Sequence, residues 1–337
     1  MKLTRIFVPL VASMVLYSCA SNNLSYEGKA FKNAYASIKA EELKKNLSVI
    51  ASDEMQGRDT GSEGQKKAGK YMIDFYKNIG VSYPKALGSY YQTVPKEALK
   101  SRGKELPESE NILAFIEGTE KPEEIIVISA HYDHVGTKDG VVYNGADDDG
   151  SGTVAVMEIA EAFQQAKKAG KGPKRSILFL HVTGEEHGLL GSKYYADHPV
   201  YDMKNTVVDL NIDMIGRSDK ENEGKNYVYV IGSEMLSSEL KVINEAANKI
   251  THNLELNYKY DDPKDPMRLY YRSDHYNFAK SGVPVAFYFD GIHADYHQPT
   301  DDVDKIDFPL LQKRAQLVFA TAWELANRKD RIVVDKK

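Results

Sequence analysis

Cysteine, long apolar runs and basic clusters are the features that this sequence most clearly lacks. Cys19 is the only cysteine, so no intrachain disulfide can form, and the fold depends on its apolar core and on any metal it binds. After the first 18 residues, no stretch approaches the roughly 20 apolar residues of a membrane-spanning helix. The formal net charge is −5 over 337 residues, and no run of lysine and arginine forms a phosphate-binding patch. The sequence therefore gives no indication of a nucleic-acid partner.

The N-terminus has the pattern of an export signal. Lys2 and Arg5 precede an apolar stretch from Ile6 to Leu16, which is too short to cross a bilayer and has the length of a signal-peptide core. The stretch ends in Leu16-Tyr17-Ser18-Cys19, which is similar to a bacterial lipobox. We therefore expect residues 1–18 to be a lipoprotein signal peptide, Cys19 to be lipidated, and residues 19–30 to be a polar tether. The protein would then be lipid-anchored in a bacterial cell envelope, on its periplasmic or outer surface. The alternative is an ordinary cleaved signal with a leftover cysteine.

Helical and strand-like segments alternate through the rest of the chain. Apolar residues at three- and four-residue spacing predict helices over 34–50, 63–78, 153–166, 237–250 and 308–327. Short β-rich runs predict strands over 111–116, 125–129, 177–182, 207–212, 227–231 and 285–289. This alternation is typical of an α/β protein, a three-layer α/β/α sandwich with a central mixed, mostly parallel sheet. With no linker inside it, residues 31–330 are predicted to form a single domain, followed by a tail over residues 331–337.

Three consecutive carboxylates in a glycine-rich loop form the most informative segment. The loop over 145–152 reads Gly-Ala-Asp-Asp-Asp-Gly-Ser-Gly, and it follows His131-Tyr132-Asp133 at the end of an apolar run. Three adjacent anions repel one another unless a cation offsets their charge. The glycines allow the backbone to bend tightly around something small. The loop therefore predicts a metal site.

Further ionisable residues follow three of the predicted strands. His131 comes just after the strand over 125–129, Glu185 and Glu186 follow the strand over 177–182, and Asp213 follows the strand over 207–212. In open α/β sheets, ligands bind beyond the carboxyl ends of the strands. We therefore expect these side chains to meet at one edge of the sheet.

Two imidazoles and three carboxylates make up the candidate ligand set, namely His131, Asp148, Glu186, Asp213 and His297. Nitrogen and oxygen ligands of this kind suit zinc and, less selectively, other divalent transition metals. Five groups are too many for one tetrahedral ion, but they fit two Zn²⁺ ions if one carboxylate is shared. Two such ions can hold a metal-bridging water, and the neighbouring Glu185 then has the position of a general base.

Five motifs in this order resemble those of the M28 family of co-catalytic zinc peptidases. They are His131-Tyr132-Asp133, the loop over 145–152, Gly184-Glu185-Glu186-His187-Gly188-Leu189-Leu190-Gly191-Ser192, Asn211-Ile212-Asp213-Met214 and the late His297. The likeness covers roughly residues 51–327 and begins with the segment Ala51-Ser52-Asp53-Glu54-Met55-Gln56-Gly57-Arg58. That family includes secreted bacterial aminopeptidases, glutamate carboxypeptidases and glutaminyl cyclases. The resemblance implies a single zinc-peptidase domain with the fold predicted above.

The resemblance also implies a role for each candidate ligand. Asp148, the middle aspartate of the triplet, would bridge the two metals. One metal would take His131 and Asp213, and the other would take Glu186 and His297. His293 competes with His297 for the last position, and the run after His297 resembles the family more closely.

Other residues receive supporting roles from the same resemblance. Asp133 would orient His131, because a ligating imidazole usually donates its second N–H to a carboxylate. The peptide bond between Asp148 and Asp149 is cis in many relatives. Tyr270 would hydrogen-bond the developing oxyanion, although the adjacent Tyr271 leaves the register open. His134, His181, His187 and His275 are expected to be non-ligands.

The implied function is a di-zinc aminopeptidase that hydrolyses the N-terminal bond of peptides with a free N-terminus, with Glu185 as general base. A glutaminyl cyclase-like acyltransferase is one alternative. A carboxypeptidase or dipeptidase is another, because Arg217, Arg268 and Arg272 could hold a substrate carboxylate. The loop over 260–273 is expected to shape the specificity pocket, and its tyrosines and Met267 suggest an apolar first side chain.

The same loop also has the residue spacing of a calcium site, which favours an alternative function as a non-enzymatic, calcium-binding lipoprotein. The residues that match the twelve-residue calcium loop of an EF-hand are Asp147, Asp149, Ser151, Gly152, Val154 and Glu158. An EF-hand needs an incoming helix, whereas residues 136–145 read as strand or loop. Asp149 also precedes a predicted helix, where an aspartate can act as an N-cap.

Overall fold

The computed structural model describes Tyr26 and residues 28–101, 103–262 and 264–336. Its helices are α1 (Lys29–Ser37), α2 (Ala40–Ile50), α3 (Glu63–Ile79), α4 (Gly152–Lys168), α5 (Leu190–Asp197), α6 (Leu240–Ile250), α7 (His275–Lys280) and α8 (Phe308–Asn327). Its strands are β1 (Tyr91–Val94), β2 (Lys100–Ser101), β3 (Lys104–Glu105), β4 (Ser109–Ile116), β5 (Lys121–His131), β6 (Thr137–Lys138), β7 (Val141–Val142), β8 (Arg175–Val182), β9 (Thr206–Ile212), β10 (Tyr227–Ile231), β11 (Glu255–Asn257) and β12 (Val285–Phe289).

Eight strands form the central sheet, in the order β1-β4-β8-β5-β9-β12-β10-β11. The neighbours β8, β5, β9 and β12 run parallel to one another, and β11 runs parallel to β10. The pairings of β1 with β4, β4 with β8, and β10 with β12 are antiparallel. The predicted mixed, mostly parallel sheet is therefore confirmed.

Helices cover both faces of this sheet, because successive residues of a strand point to opposite sides. In β5, Ile126 and Ile128 belong to a large core that includes residues of α1, α2, α3, α4, α6 and α8. Val127, between them, packs in a second core with Tyr195 of α5 and Phe278 of α7. The residue alternation thus builds the three layers predicted from the sequence.

The predicted helix over 34–50 is wrong in one respect, since it is two helices. Ile38 and Lys39 have extended backbones between α1 and α2. The Gln316 side chain donates to the carbonyls of Tyr35 and Ile38, and the Ala40 N–H donates to the Gln312 side chain. Because α8 supplies these hydrogen bonds, a distant part of the chain stabilises the break between α1 and α2. The helical periodicity of residues 34–50 contains no information about these contacts.

The parallel strands bring the ionisable residues to one edge of the sheet. His131 ends β5 and pairs with Val182, the last residue of β8, while Asn211 of β9 pairs with Ser129. Glu185 and Asp213 therefore follow strands that end beside His131. The predicted signal segment and Cys19 lie outside the described residues. Within the described part of the chain, none of the helices is both long and apolar enough to cross a bilayer.

Candidate metal centre

The acidic loop is held at its end by Asp149, which lies just before α4. Asp149 Oδ1 accepts hydrogen bonds from the N–H of Gly152 at 2.9 Å and the N–H of Met214 at 3.1 Å. A Cβ atom on Gly152 would lie 2.3 Å from the same oxygen, so only glycine allows this close approach. Asp149 therefore accepts a hydrogen bond from the first N–H of α4, but the residue at the N-cap position is Ser151. Burial raises the pKa of Asp149 well above its usual range.

A second carboxylate holds the start of the loop. Asp301 accepts hydrogen bonds from the N–H of Asp147 at 3.0 Å and the N–H of Asp148 at 3.1 Å. Asp147 Oδ1 in turn accepts from the N–H of Gly216 at 2.6 Å. The peptide bond between Asp148 and Asp149 is cis, as the family resemblance implies. Backbone and neighbouring carboxylates together leave the side chain of Asp148 facing the ligand cluster.

His131, Asp148 and Asp213 form the first donor group. His131 Nε2 lies 3.3 Å from Asp148 Oδ1 and 3.6 Å from Asp213 Oδ1. Ser273 Oγ donates to the other oxygen of Asp213 at 2.7 Å, which fixes the orientation of that carboxylate. All three side chains are buried, and one donor atom from each lies within 4.8 Å of the others.

Asp148 and Glu186 meet two imidazoles in the second donor group. His297 Nε2 lies 3.0 Å from Asp148 Oδ2 and 3.0 Å from Glu186 Oε2. His134 Nδ1 lies 2.8 Å from Glu186 Oε1 and 3.8 Å from Asp148 Oδ2. The second donor group therefore contains the predicted ligand His297 and also His134, which was expected to be a non-ligand.

The position of His134 follows from the turn after β5. The His134 N–H donates to the carbonyl of Arg58 at 3.2 Å, which turns the chain back over the acidic loop. The loop makes room for the imidazole at Gly145, where a Cβ atom would lie 2.5 Å from His134 Cγ. His134 therefore lies within reach of the second metal position, while its expected role as a non-ligand stays a prediction. Its spacing of three residues from His131 was the only signal of this in the sequence.

The remaining histidines lie outside the two donor groups. His293 Nε2 is 3.2 Å from Asp147 Oδ2 and so contacts the flank of the loop rather than its centre. The three further histidines that were expected to be non-ligands have other partners. His181 contacts Tyr76, His187 contacts Asp59, and His275 stacks on Phe287. The geometry therefore favours His297 over His293 for the last ligand position.

The structure contradicts the interpretation of the acidic loop as an EF-hand calcium loop. Glu158 is buried in the middle of α4 and accepts a hydrogen bond from the Asn46 side chain at 2.7 Å. It therefore points into the helical layer and not towards the acidic loop. The segment before the loop is the short pair β6 and β7, whereas an EF-hand requires a helix there.

The Asp133 carboxylate does not make the predicted hydrogen bond with His131. The Asp133 carboxylate is 3.8 Å from His131 Nδ1, beyond hydrogen-bond distance, and Nδ1 donates instead to the Asp133 backbone carbonyl at 3.0 Å. The carboxylate accepts from the Glu185 N–H at 3.2 Å and from Thr60 Oγ1 at 3.0 Å. Asp133 thus orients His131 through its backbone and positions Glu185 through its side chain.

Tyr270, the predicted oxyanion donor, packs in an aromatic cluster and is not among the residues that line the cavity beside the donor groups. Its ring packs edge-on against Tyr271 and His275, at 5.3 Å and 5.6 Å between ring centroids. Tyr296 instead lines the cavity beside Glu185 and Asp213, with its ring stacked at 3.9 Å on His297. The sequence signal for Tyr296 was its place directly before the last ligand.

The electrostatics distinguish Asp148 from Glu185, two of the acidic residues that line the cavity. Burial opposes the charge of Asp148, but the nearby imidazoles of His131 and His297 outweigh it and hold the pKa of Asp148 well below its usual range. Burial raises the pKa of Glu185 well above its usual range, and the charges of Asp213 and Glu186 raise it further. Burial lowers the pKa of His297, but Asp148 and Glu186 outweigh this and raise it to about 10. Asp148 therefore stays charged, while Glu185 is suited to take and return a proton.

The donor atoms fit zinc. Asp148 Oδ2, Glu186 Oε1 and both ring nitrogens of His134 are buried and make no hydrogen bond of regular geometry among the described residues. Their close neighbours are other potential metal ligands, such as His134 Nδ1 at 2.8 Å from Glu186 Oε1. Buried polar atoms are normally satisfied, so a cluster left open in this way points to a cation. Nitrogen and carboxylate donors at this spacing suit Zn²⁺, and Asp148 belongs to both groups and can be shared.

An apolar cavity opens beside the donor groups. It reaches Asp148, Glu185 and Asp213 and is otherwise lined mainly by Met214, Leu269, Phe287, Phe289, Ile292 and Tyr296. Arg272 stands at its rim, exposed and without an ion pair or side-chain hydrogen bond among the described residues. Of the other two candidate arginines, Arg217 pairs with Asp295 at 2.9 Å and Arg268 lies over the Tyr271 ring.

The sequence identifies the class of protein to which this metal centre belongs. The model of Peptidase family M28 matches residues 111–322, which is more than half of the chain, so the chain belongs to that family. It is 28% identical over 261 residues to aminopeptidase YwaD of Bacillus subtilis, a match that covers 73% of this chain and 51% of that protein. It is 30% identical over 222 residues to a probable leucine aminopeptidase of Arthroderma otae, with 64% and 57% covered. The chain thus spans little more than half the length of these curated relatives.

Solved structures agree on the fold. The LapA aminopeptidase of Legionella pneumophila superposes with a TM-score of 0.71 at 20% identity, covering 97% of this chain and 81% of that one. The glutaminyl cyclase of Porphyromonas gingivalis gives a TM-score of 0.64 at 20% identity, covering 84% of this chain and 97% of that one. Because proteins with either activity have this fold, the fold alone does not distinguish an aminopeptidase from a glutaminyl cyclase. The distinction has to come from the residues of the site.

Proposed function

We propose that this protein is a zinc-dependent aminopeptidase with two metal ions. The observation that carries this proposal is the pair of donor groups that share Asp148, with Glu185 beside them on the cavity wall. When bound, Zn²⁺ would polarise a substrate carbonyl and lower the pKa of a water molecule. His131 and Asp213 would hold one ion, and Glu186 and His297 the other, with His134 close to the second.

Glu185 acts as the general base in this proposal. Its backbone is fixed by Asp133, and its Oε2 atom lies 4.0 Å from His131 Nε2 without belonging to either donor group. Its carboxylate takes a proton from the attacking water and passes it to the leaving amine. Burial and the neighbouring carboxylates raise the pKa of Glu185, which makes it basic enough for the first step.

The apolar cavity supports a substrate with an apolar first side chain. Phe287, Phe289 and Leu269 form much of its wall, and burying an apolar side chain there is favourable. The free amine of the peptide would lie at the opening, near the carboxylates of Asp148 and Asp213. Tyr296 lies on the same wall and can donate its hydroxyl hydrogen to the oxyanion, the role that the sequence assigned to Tyr270.

A panel of substrates tests the proposal. The purified protein should hydrolyse aminoacyl arylamides with free N-termini and leave the N-acetylated forms intact. Ring closure of an N-terminal glutamine peptide without hydrolysis would instead identify a glutaminyl cyclase. Glu185→Gln should keep the metal content while kcat falls at least ~100-fold, the usual size of a lost acid–base contribution. Near-normal turnover in this variant would remove Glu185 from the base role.

Arg272 favours a second candidate function, a dipeptidase. Its guanidinium is uncommitted and borders both the apolar cavity and the outer cleft that contains Glu186 and His297. Arginine binds carboxylates well, so it could hold the C-terminus of a short peptide. Much faster hydrolysis of dipeptides than of their C-terminal amides, lost in Arg272→Gln, would support this function.

We further propose that the mature protein is anchored to a bacterial envelope membrane through a lipid on Cys19. The support is the lipobox-like sequence that precedes this cysteine. Incorporation of labelled palmitate into the wild-type chain, but not into Cys19→Ser, is the expected result. Equal incorporation by both chains would contradict the anchor.

A further inference from the structure

The edge of the molecule opposite the metal centre is formed by the other ends of the same elements. α4 starts at Gly152 in the acidic loop and ends at Lys168, about 25 Å away at 1.5 Å per residue. The first residues of β5 and β8, Lys121 and Arg175, lie at this far edge, because the last residues of these strands face the donor groups.

Lysines from two separate segments meet at this far edge. We define the basic edge as Lys29 of α1 together with Lys167, Lys168, Lys171 and Lys174, which lie at the end of α4 and in the connection to β8. Lys29, Lys171 and Lys174 line one open depression. The fold therefore gathers lysines that lie more than a hundred residues apart in a chain whose sequence shows no phosphate-binding run.

Most lysines of the basic edge make no ion pair with a carboxylate of the described residues. Lys29, Lys167 and Lys171 are exposed and have no ion pair or side-chain hydrogen bond among the described residues. Lys174 pairs with Glu120 at 3.2 Å, and Lys168 Nζ donates to the carbonyl of Ile79 at 2.7 Å.

Two nearby carboxylates add negative charge beside the basic edge. Glu117 pairs with Lys85 at 2.8 Å, so its charge is matched by a lysine of its own. Glu123, near the start of β5, is exposed. The lysines outnumber these carboxylates, so the edge is positive on a chain whose formal net charge is −5.

The N-terminal end of the described domain lies at the same place. Gly28 and Lys29 line the depression together with Lys171 and Lys174. Cys19 precedes Gly28 by nine residues, and nine residues reach at most about 30 Å when fully extended. A lipid on Cys19 would therefore keep the basic edge within that distance of the membrane surface.

We propose that the basic edge rests on an anionic lipid surface, so that the metal centre faces away from the membrane. Lysines near a negatively charged bilayer are attracted to it, and this attraction is screened beyond roughly 10 Å. A short lipid tether allows the edge to come within that range, and a single acyl anchor gains strength from such a second contact. The inference rests on the lipid anchor proposed above and is independent of the peptidase chemistry.

Probe quenching in vesicles tests this orientation. The full lipidated chain is placed in vesicles of phosphatidylcholine alone, or with one third phosphatidylglycerol, each with a headgroup spin label. Because Cys19 would carry the lipid, an introduced thiol can be labelled selectively. A fluorophore at Ala169→Cys reports on the basic edge, and a matched probe at Ala294→Cys, beside His293, reports on the metal-centre edge; both positions are exposed.

We expect strong quenching of the Ala169 probe only in the anionic vesicles, and its loss at high salt. The double variant Lys167→Glu with Lys171→Glu should abolish this quenching in anionic vesicles, since each lysine contributes about fivefold to partitioning onto an anionic surface. Lys104→Glu with Lys138→Glu, two exposed lysines elsewhere with the same charge change, should leave it intact. Equal quenching of both probes, or quenching that ignores lipid charge, would overturn the orientation. Release of the chain from all vesicles would overturn the anchor, while arylamide hydrolysis stays unchanged in either case.

Discussion

Removal of the Tyr296 hydroxyl tests which tyrosine donates a hydrogen bond to the oxyanion. The structure favours Tyr296 for this role, whereas the sequence favours Tyr270. Tyr296→Phe keeps the ring and its stacking on His297 at 3.9 Å, so the change removes one hydrogen-bond donor. Burial raises the pKa of Tyr296 above its usual range, so the hydroxyl remains protonated and able to donate. Loss of one oxyanion donor costs about 100- to 1,000-fold in kcat. KM should change little, because the contact strengthens only as charge develops on the carbonyl oxygen.

The assay is steady-state hydrolysis of a leucine arylamide, with the zinc content of each variant measured in parallel. Tyr270→Phe is the matched control, because that ring packs against Tyr271 and His275 and does not line the cavity. Its kcat should stay within about threefold of the wild type, as is usual for a group with no transition-state contact. If Tyr270→Phe loses kcat while Tyr296→Phe retains it, the assignment reverts to Tyr270 and our reasoning from the cavity is refuted.

Two further predictions concern the loop and the helical layer. Gly152→Ala should lower the free energy of unfolding by about 1–3 kcal/mol in thermal melts and weaken zinc binding, because its Cβ would lie 2.3 Å from Asp149 Oδ1. Gly28→Ala, with open space around it, should have neither effect, and equal behaviour of the two variants would contradict the steric argument. Burial raises the pKa of Glu158 from 4.5 to about 8, so the folded state binds the extra proton in this window and stability should fall as pH rises from 4.5 to 8. Glu158→Gln, which still accepts from Asn46, should flatten that part of the stability–pH curve measured by urea unfolding; an unchanged slope would exclude Glu158 as its cause.

The sheet and the donor groups could be predicted because both depend on local sequence signals. The strands over 227–231 and 285–289 and the helix over 308–327 agree with the structure at both ends. The apolar runs and helical spacing are strong there, and both strands and most of the helix are buried. The ligand edge followed from the same pattern, because parallel strands that end together deliver His131 and Asp213 to one place.

The positions of His134 and Tyr296 beside the donor groups could not be predicted, since each depends on the path of a loop in three dimensions. His134 joins the second donor group because of the turn that its N–H makes with Arg58. Tyr270 precedes a short helix whose packing directs its ring into an aromatic cluster, whereas Tyr296 is directed at the cavity by its neighbour His297. Sequence spacing locates such residues along the chain, but the direction of a side chain in a loop is set by tertiary contacts.

The shared carboxylate of Asp148 is the central claim, and metal analysis tests it most directly. The purified wild-type protein should contain two zinc ions per chain. Asp148→Asn should lose both, because both donor groups contain this residue. Asp213→Asn, which alters only the first group, should lose one. A wild-type content of one zinc, or an Asp148→Asn variant that retains two, would contradict the account.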